Sequence, residues 1–247
     1  MSFFEINGLV KRFGGLAAVN GVTCQVEPGE VFGLIGPNGS GKTTIFNLVS
    51  GYLNPTAGSV HFEGRRIDGL KPHKINHLGV ARTFQVVKPL KRMTVTDNVI
   101  TAAFSRTSSA SQARAAAEEA MVFCGLDHRA DVLAGGLTIG DRKRLEITRA
   151  IATRPRLILL DETFAGLNPS ELDQALELIK KIKDSGVTII IVEHIMKVIM
   201  SISDRILAIN FGQPIALGTP QEIAGHPEVA KAYLGEPFEG RRANAQG

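Results

Sequence analysis

The chain has 247 residues, of which 44% are hydrophobic and 21% charged, a composition typical of a globular protein with a sizeable core. The net charge of +4 is too small for the dense basic surface of a dedicated nucleic-acid-binding protein, and two cysteines without motif spacing exclude a disulfide framework or a zinc site. The longest apolar run, 187–192, is too short to span a bilayer, and no signal peptide is visible, so we expect a soluble or peripheral protein in a reducing compartment.

The first 30 residues predict short β-strands separated by turns. The dipeptide Asn20-Gly21 lies between apolar runs, which is a signal for the turn of a β-hairpin. Phe13 stands just before a double glycine and is open to two interpretations. It is either an ordinary strand or core aromatic, or a flat surface on which an adenine ring stacks.

A phosphate-binding pattern follows the next predicted strand. Residues 31–35 are apolar, residues 36–44 read Gly-Pro-Asn-Gly-Ser-Gly-Lys-Thr-Thr, and a helix is predicted over 44–51. Strand, glycine-rich loop and helix in this order form a cradle whose backbone N–H groups converge on phosphate. We expect Lys42 to reach the β- and γ-phosphates and the Thr43 hydroxyl to bind Mg²⁺. The candidate nucleotide-binding residues of the loop are Gly36, Pro37, Asn38, Gly39, Ser40, Gly41, Lys42, Thr43 and Thr44.

The middle of the chain changes from mixed to helical character. Strands are predicted at 59–62 and 80–84, with a short helix at 72–78, and Gln85 ends the second strand. A glutamine there is usually a surface amide, but its oxygen is also a candidate metal ligand. From 88 to 153 strand signals vanish, and helices are predicted at 97–104, 111–124 and 142–153. The basic residues of the third helix, Arg142, Lys143, Arg144 and Arg149, are interpreted as a solvated face.

The last third returns to alternating strands and helices. Apolar runs at 157–160 and 187–192 predict strands covered on both faces. The helix between them is expected to have Ser170 as its cap and to stop at Gly186. A helix over about 195–202, strands at 205–209 and 214–217, and short helices at 219–225 and 227–234 follow, and the polar residues 240–247 are predicted to be disordered.

Reactive side chains follow three of the predicted parallel strands. They are Lys42 after the first, Asp161 and Glu162 after the second, and His194 after the third. Because ligands of open α/β sheets bind at the carboxyl edge of the strands, we expect these groups to meet there. Asp161 would supply a carboxylate to the Mg²⁺ near Thr43, while Glu162 and His194 would position water and the γ-phosphate.

Together these motifs resemble the ATP-binding subunit of an ABC transporter over residues 3–236. The resemblance implies that Phe13 is the A-loop aromatic, that 36–44 form Walker A, that 157–161 form Walker B, and that 165–168 form the D-loop. The signature motif would be residues 137–141, whose Thr138, Gly140 and Asp141 would contact nucleotide. The implied catalytic residues are Glu162, His194 and Gln85, and the implied metal-binding residues are Thr43, Gln85 and Asp161.

The same resemblance implies an α/β fold of the P-loop NTPase class, of ABC ATPase type. It would be a single domain over 1–240 with a flexible tail at 241–247. A mixed central sheet and an N-terminal antiparallel β-subdomain would occupy 1–87 and 154–236. Residues 88–153 would be an inserted helical subdomain that carries the signature motif.

Members of this family are ATPases that use ATP and Mg²⁺ in a head-to-tail dimer, so an isolated chain is expected to hydrolyse ATP slowly. The implied partners are a second ATP-binding subunit in a homo- or heterodimer, two transmembrane permeases that contact the helical subdomain, and, indirectly, an external solute-binding protein, with no nucleic acid. The implied location is peripheral, at the cytoplasmic face of the inner or plasma membrane.

Several stretches are similar to the LivG-type subunit of branched-chain amino-acid importers. They are Arg12-Phe-Gly-Gly-Leu-Ala-Ala-Val-Asn20, Ala81-Arg-Thr-Phe-Gln85, Arg144-Leu-Glu-Ile147, Ala165-Gly-Leu-Asn-Pro169, Glu193-His-Ile-Met-Lys197, Ile202-Ser-Asp-Arg205 and Ala232-Tyr-Leu-Gly-Glu236. The implied function is ATP hydrolysis that drives import of branched-chain amino acids or related small polar solutes, such as urea, short amides or aromatic acids.

Three positions depart from the usual family pattern. The signature has Thr138 where serine is usual and Asp141 where glutamine is commonest, although threonine keeps the hydroxyl. Thr163 follows Glu162 where proline is usual. Because threonine does not fix φ as proline does, this change either loosens the loop that carries Glu162 or is simply tolerated.

Three alternatives compete with this interpretation. A lipopolysaccharide-export ATPase also ends in a segment like Tyr-Leu-Gly-Glu, but the Arg-Phe-Gly-Gly, Arg-Thr-Phe-Gln and Gly-Leu-Asn-Pro stretches argue against it. An ABC ATPase acting on DNA or ribosomes would need a long coiled coil or a second ATPase domain, and the chain has room for neither. A purely nucleotide-sensing subunit would not need Lys42, Asp161, Glu162 and His194 together.

Overall fold

A computed structural model describes residues 2–84 and 89–234. Its strands are β1 (Phe4–Phe13), β2 (Leu16–Val26), β3 (Val31–Ile35), β4 (Ala57–Phe62), β5 (Arg65–Arg66), β6 (Val80–Arg82), β7 (Leu157–Asp161), β8 (Thr188–Val192), β9 (Arg205–Asn210) and β10 (Gln213–Gly218). Its helices are α1 (Lys42–Val49), α2 (Pro72–Leu78), α3 (Val95–Ala103), α4 (Ala110–Cys124), α5 (Ile139–Ala152), α6 (Pro169–Asp184), α7 (Met196–Ile202), α8 (Pro220–Ala224) and α9 (Pro227–Leu234).

The larger of two sheets carries the reactive strand ends. Its six described strands run in the order β10-β9-β3-β8-β7-β6, all parallel to their neighbours except β10. Successive residues of β3 alternate between the two large apolar clusters: Phe32 and Leu34 face one, Val31 and Ile35 the other. The strand is therefore covered on both faces, as its unbroken apolar sequence predicts.

The smaller sheet is antiparallel and has the order β2-β1-β4-β5. The prediction of a hairpin turn at Asn20-Gly21 is wrong, because β2 runs straight through it and the turn joins Phe13 to Leu16. The pairing register skips Gly21, which has a φ of 78°. This glycine forms a β-bulge, since the left-handed conformation that favours a hairpin turn also accommodates an extra residue in a strand.

Helices α3, α4 and α5 pack around an apolar cluster of their own. In α4 the buried side chains are mainly alanines, at 113, 117 and 120, and such small residues allow the neighbouring helices to approach closely. The cluster extends to Leu145 and Ala152 of α5, while Ile147 and Ala150 of the same helix pack against the large sheet. Helix α5 thus joins the helical layer to the sheet.

Two local predictions are corrected by the structure. Asn168, rather than Ser170, caps α6: its side chain accepts the N–H of Glu171, whose carboxylate in turn accepts the N–H of Asn168. Pro169 occupies the first helical position, which moves the start of the helix ahead of the serine.

Strand β6 ends at Arg82 instead of residue 84, and Gln85 and residues 240–247 lie outside the described residues. No helix in the described ranges is both long and apolar enough to cross a membrane.

Candidate active site

The glycine-rich loop joins β3 to α1 as predicted. Gly41 caps α1 with a φ of 107°, and a Cβ atom there would collide with the carbonyl oxygen of Ala18. The Lys42 ammonium is buried and donates to the carbonyl oxygens of Gly36 and Pro37, at 2.7 and 2.9 Å. Burial lowers the pKa of Lys42, and nearby carboxylates oppose the change. The loop thus holds a cationic head group against its own backbone, at the N-terminus of a helix, where an anion is favoured.

Asp161 ends β7 and is 2% exposed. Its Oδ2 atom accepts a hydrogen bond of 3.0 Å from Arg82, whereas its buried Oδ1 atom accepts none from any described residue. Burial raises the pKa of Asp161, and the Arg82 guanidinium opposes that rise. Asp161 and Thr43 line one cavity of about 660 Å³. An unpartnered carboxylate oxygen and a hydroxyl at one cavity are oxygen donors that fit Mg²⁺.

The loop after β7 is held from two sides. Glu162 has a φ of 48°, in the left-handed region, and its carbonyl oxygen accepts a hydrogen bond of 3.0 Å from Lys143 of α5. The next peptide is fixed by Glu193, a fully buried residue whose Oε1 atom accepts the N–H of Phe164 at 2.8 Å. These contacts restrain the loop in which Thr163 replaces the usual proline, which favours tolerance of Thr163 over loosening of the loop.

The basic side chains of α5 are not the solvated face that the sequence suggested. None of the four is fully exposed, and each of three donates to a group on another segment. Arg142 binds the carbonyl of Gly135, Lys143 that of Glu162, and Arg144 the side chain of Gln174, at 2.8 to 3.0 Å. These guanidinium and ammonium groups are used to fix α5 against its neighbours.

His194 follows β8, which lies between β3 and β7 in the sheet. Its strand therefore places it between the glycine-rich loop and the end of β7, at the same carboxyl edge. The residue is exposed, whereas the preceding Glu193 is fully buried. The prediction that these three strand ends share one edge is confirmed.

Phe13 ends β1 and is 48% exposed, so it is not a core residue. The ammonium group of Lys11 lies 5.2 Å from the centre of its ring. An open aromatic face beside a cation is suited to a planar ligand, although adenine stacking stays a prediction.

The signature residues form the N-terminus of α5. Thr138 caps the helix by accepting the N–H of Asp141 at 3.1 Å, and the preceding Leu137 is buried as an anchor. Gly140 packs so closely on α6 that a Cβ atom would lie 2.6 Å from the carboxylate of Glu171. The groove lined by Gly140 and Asp141 differs from the cavity that contains Thr43 and Asp161.

Sequence reasoning missed Glu146 and Arg82, which both line the cavity beside Asp161. Glu146 of α5 accepts the N–H of Phe84 at 2.7 Å, and burial raises the pKa of its carboxyl to about 7. Arg82 precedes Gln85 by three residues and pairs with Asp161. Arg82 is a charged residue in an otherwise uncharged stretch, whereas Glu146 lies in a run of charged residues. Charged residues are commonly exposed, and only the fold reveals that neither of these two is.

Comparisons with known protein families agree with this geometry. The family described as "ABC transporter" matches residues 19–165, and the family described as "Branched-chain amino acid ATP-binding cassette transporter" matches residues 213–239. The second match covers β10, α8 and α9.

Whole-chain similarity extends to several curated proteins. The high-affinity branched-chain amino acid transport ATP-binding protein BraF of Pseudomonas aeruginosa is 45% identical, with 94% of this chain and 97% of the relative covered. LivG of Escherichia coli, which has the same functional description, is 42% identical over the same shares, and a probable LivG of Archaeoglobus fulgidus is 38% identical over 95% and 96%.

Solved structures show the same fold. A nucleotide-free ATP-binding cassette from an ABC transporter superposes with a TM-score of 0.87 at 32% identity, covering 96% of this chain and all of the other. An ATP-binding cassette solved in its ADP conformation gives the same values. The fold class predicted from the sequence is confirmed.

Proposed function

This chain belongs to the ABC transporter family of ATP-binding proteins, and we propose from that premise that it hydrolyses ATP to power import of branched-chain amino acids or related small polar solutes. The observation that carries the proposal is the meeting of the Lys42 loop, Asp161 with Glu162, and His194 at one sheet edge, in a chain whose relatives are named for this transport. The coupling to import rests on the relatives alone.

Each group has a role in phosphoryl transfer, which requires mainly positioning and charge neutralisation. Lys42 and the backbone N–H groups of residues 36–44 would hold the phosphates, and Phe13 would stack on the base. Thr43 and Asp161, with Gln85, would hold Mg²⁺, which supplies further neutralisation of phosphate charge. Glu162 would accept a proton from the attacking water, and His194 would contact the γ-phosphate.

We further propose that two ATP-binding subunits pair head to tail, which is supported by the finding that Gly140 and Asp141 line a different groove from the cavity of Thr43 and Asp161. In that arrangement Thr138, Gly140 and Asp141 complete the partner's nucleotide site. Residues 88–153 would form the helical subdomain that contacts two permeases at the cytoplasmic membrane face. Those permeases, and an external binding protein, would select the solute.

Purification of the tagged chain from its own membranes in mild detergent tests the assembly. We expect two polytopic permeases and a second related ATPase to accompany it, and ATPase activity to rise with a solute-loaded binding protein. Recovery with single-span permeases would instead favour a lipopolysaccharide-export ATPase. Recovery with DNA or ribosomes, or of the chain alone from the cytosol, would refute the transport proposal.

Glu162→Gln tests the chemical assignment in the assembled complex. Removal of a general base is expected to lower turnover by about 10²–10⁴-fold while ATP still binds. The matched control is Glu177→Gln, which changes an exposed glutamate on α6, outside residues 88–153, and should leave turnover unchanged. Wild-type turnover in the Glu162→Gln complex would contradict the proposed role.

A further inference from the structure

The buried guanidinium of Arg82, the last residue of β6, connects three structural elements behind the candidate metal site. Its Nη1 atom donates to Asn47 Oδ1 of α1 at 2.7 Å and to Ser50 Oγ, at the end of that helix, at 2.8 Å. Its Nη2 atom donates to Asp161 Oδ2 of β7 at 3.0 Å. It therefore ties the helix that follows the phosphate loop to the strand that carries the metal-binding carboxylate.

The guanidinium has little freedom to move. The Arg82 side chain is 7% exposed, and its guanidinium carbon lies 5.5 Å from the ring centre of Phe46 and 5.0 Å from that of Phe84. The ring of Tyr52 lies 5.9 Å away. A guanidinium holds several donors in one rigid fork beside such rings, whereas a lysine ammonium is a compact charge on a flexible stem and cannot reproduce that bridge.

Stability alone gives little reason to bury such a pair. Desolvation of two charges commonly cancels their attraction, so that apolar replacements are often as stable. What the pair does provide is orientation: because Oδ2 of Asp161 is bound to Arg82, the carboxylate cannot rotate freely, and Oδ1 is left for another ligand. Thr43 lines the same cavity as Asp161, so the hydroxyl and the carboxylate are both available to a cation bound there.

We propose that Arg82 is a positioning residue for the metal site, which fixes Asp161 against α1 so that its Oδ1 atom is presented to the Mg²⁺ of MgATP. This inference rests on the proposed function. Arg82 touches neither nucleotide nor metal in this scheme, and it acts through Asp161. Loss of a group that orients a metal ligand typically lowers metal affinity by about 10–100-fold.

The test measures Mn²⁺ binding with ATP by electron paramagnetic resonance, ATP binding in EDTA, and thermal unfolding. In Arg82→Lys the charge remains while the bridge is lost, so we expect Mn²⁺ affinity to fall about 10–100-fold with metal-free ATP affinity unchanged. The double variant Asn47→Ala/Ser50→Ala frees the guanidinium from α1 but leaves its pair with Asp161, and a smaller loss in the same direction is expected. Arg66→Ala is the control, because it removes the arginine of another Arg–Asp pair, whose arginine is 62% exposed.

Each outcome decides the matter. Wild-type Mn²⁺ affinity in Arg82→Lys would overturn the inference, and so would an equal loss of ATP binding with and without metal, which indicates a structural role. If Arg82→Lys does not fold, the double variant decides by the same criterion. Failure of the wild-type protein itself to bind ATP with metal would overturn the proposed function and this inference together, whereas normal wild-type binding with unaffected variants would overturn this inference alone.

Discussion

Replacement of Glu146 by glutamine is expected to stabilise the protein above neutral pH. Burial raises the pKa of this carboxyl to about 7, although the N–H of Phe84 and the charges of Arg149 and Lys143 oppose the rise. The folded protein then binds a proton that the unfolded chain has already released, in the interval from about pH 4.5 to 7. The stability that protonated Glu146 contributes is complete below that interval and is lost as the pH rises through it.

The size of the effect follows from the two pKa values. A rise from the ordinary value of 4.5 to about 7 corresponds to about 3 kcal/mol of unfolding free energy, at 1.36 kcal/mol per pKa unit. Glutamine keeps an acceptor for the N–H of Phe84 but carries no charge to desolvate. The unfolding free energy of Glu146→Gln should therefore be higher than that of the wild type by up to about 3 kcal/mol at pH 8. The difference should shrink to about 1 kcal/mol at pH 5.

Urea unfolding of both proteins at several pH values between 5 and 8 measures this difference. Because the two proteins share every other titrating group, the contributions of those groups to the pH dependence cancel when the two free energies are subtracted. Glu119→Gln on α4 is the control, since the side chain of Glu119 is 73% exposed and its replacement should change little at any pH. A Glu146→Gln protein whose stability parallels that of the wild type from pH 5 to pH 8 would refute the reasoning. So would a variant that is less stable at pH 8.

Three further expectations concern caps, the phosphate loop and the base-stacking surface. Asn168→Ala should lower the unfolding free energy by about 1 kcal/mol, measured by urea unfolding, whereas Ser170→Ala should not, because only the asparagine caps α6. Gly41→Ala should abolish nucleotide binding in a fluorescent-ATP titration, since its Cβ meets a backbone carbonyl, while Gly39→Ala has open space around it and should retain more of that binding. Phe13→Ala should weaken ATP binding up to about 10-fold without lowering the thermal unfolding midpoint, as the ring is half exposed; unchanged affinity would contradict stacking.

The large sheet was predictable because its strands are signalled locally. The strands β3, β7 and β8 are unbroken apolar runs of strand length, and each is followed by a reactive residue, so their shared carboxyl edge follows from the rules of open α/β sheets. The phosphate loop was equally predictable, since glycines at this spacing before a lysine and a threonine are typical of phosphate-binding loops.

What could not be predicted depends on contacts between residues far apart in sequence. The Asn20-Gly21 dipeptide fits a turn and a bulge equally well, and only the pairing partner Leu9↔Val22 shows which is formed. Arg82 meets Asp161 across 79 positions, and Lys143 meets Glu162 across 19. From the sequence alone a charged side chain is predicted to be exposed to solvent, because the residue that pairs with it is not nearby along the chain.

The hydrogen bond from Lys143 to the Glu162 carbonyl would couple the two nucleotide sites of the proposed dimer. In the proposed head-to-tail pair, α5 offers its first turn to the partner's nucleotide, while Lys143 holds the loop that serves its own. A substitution along this helix would then be felt at both nucleotides. Helix α5 would therefore link the two sites, so that a movement of its first turn at one nucleotide would shift the Glu162 loop at the other.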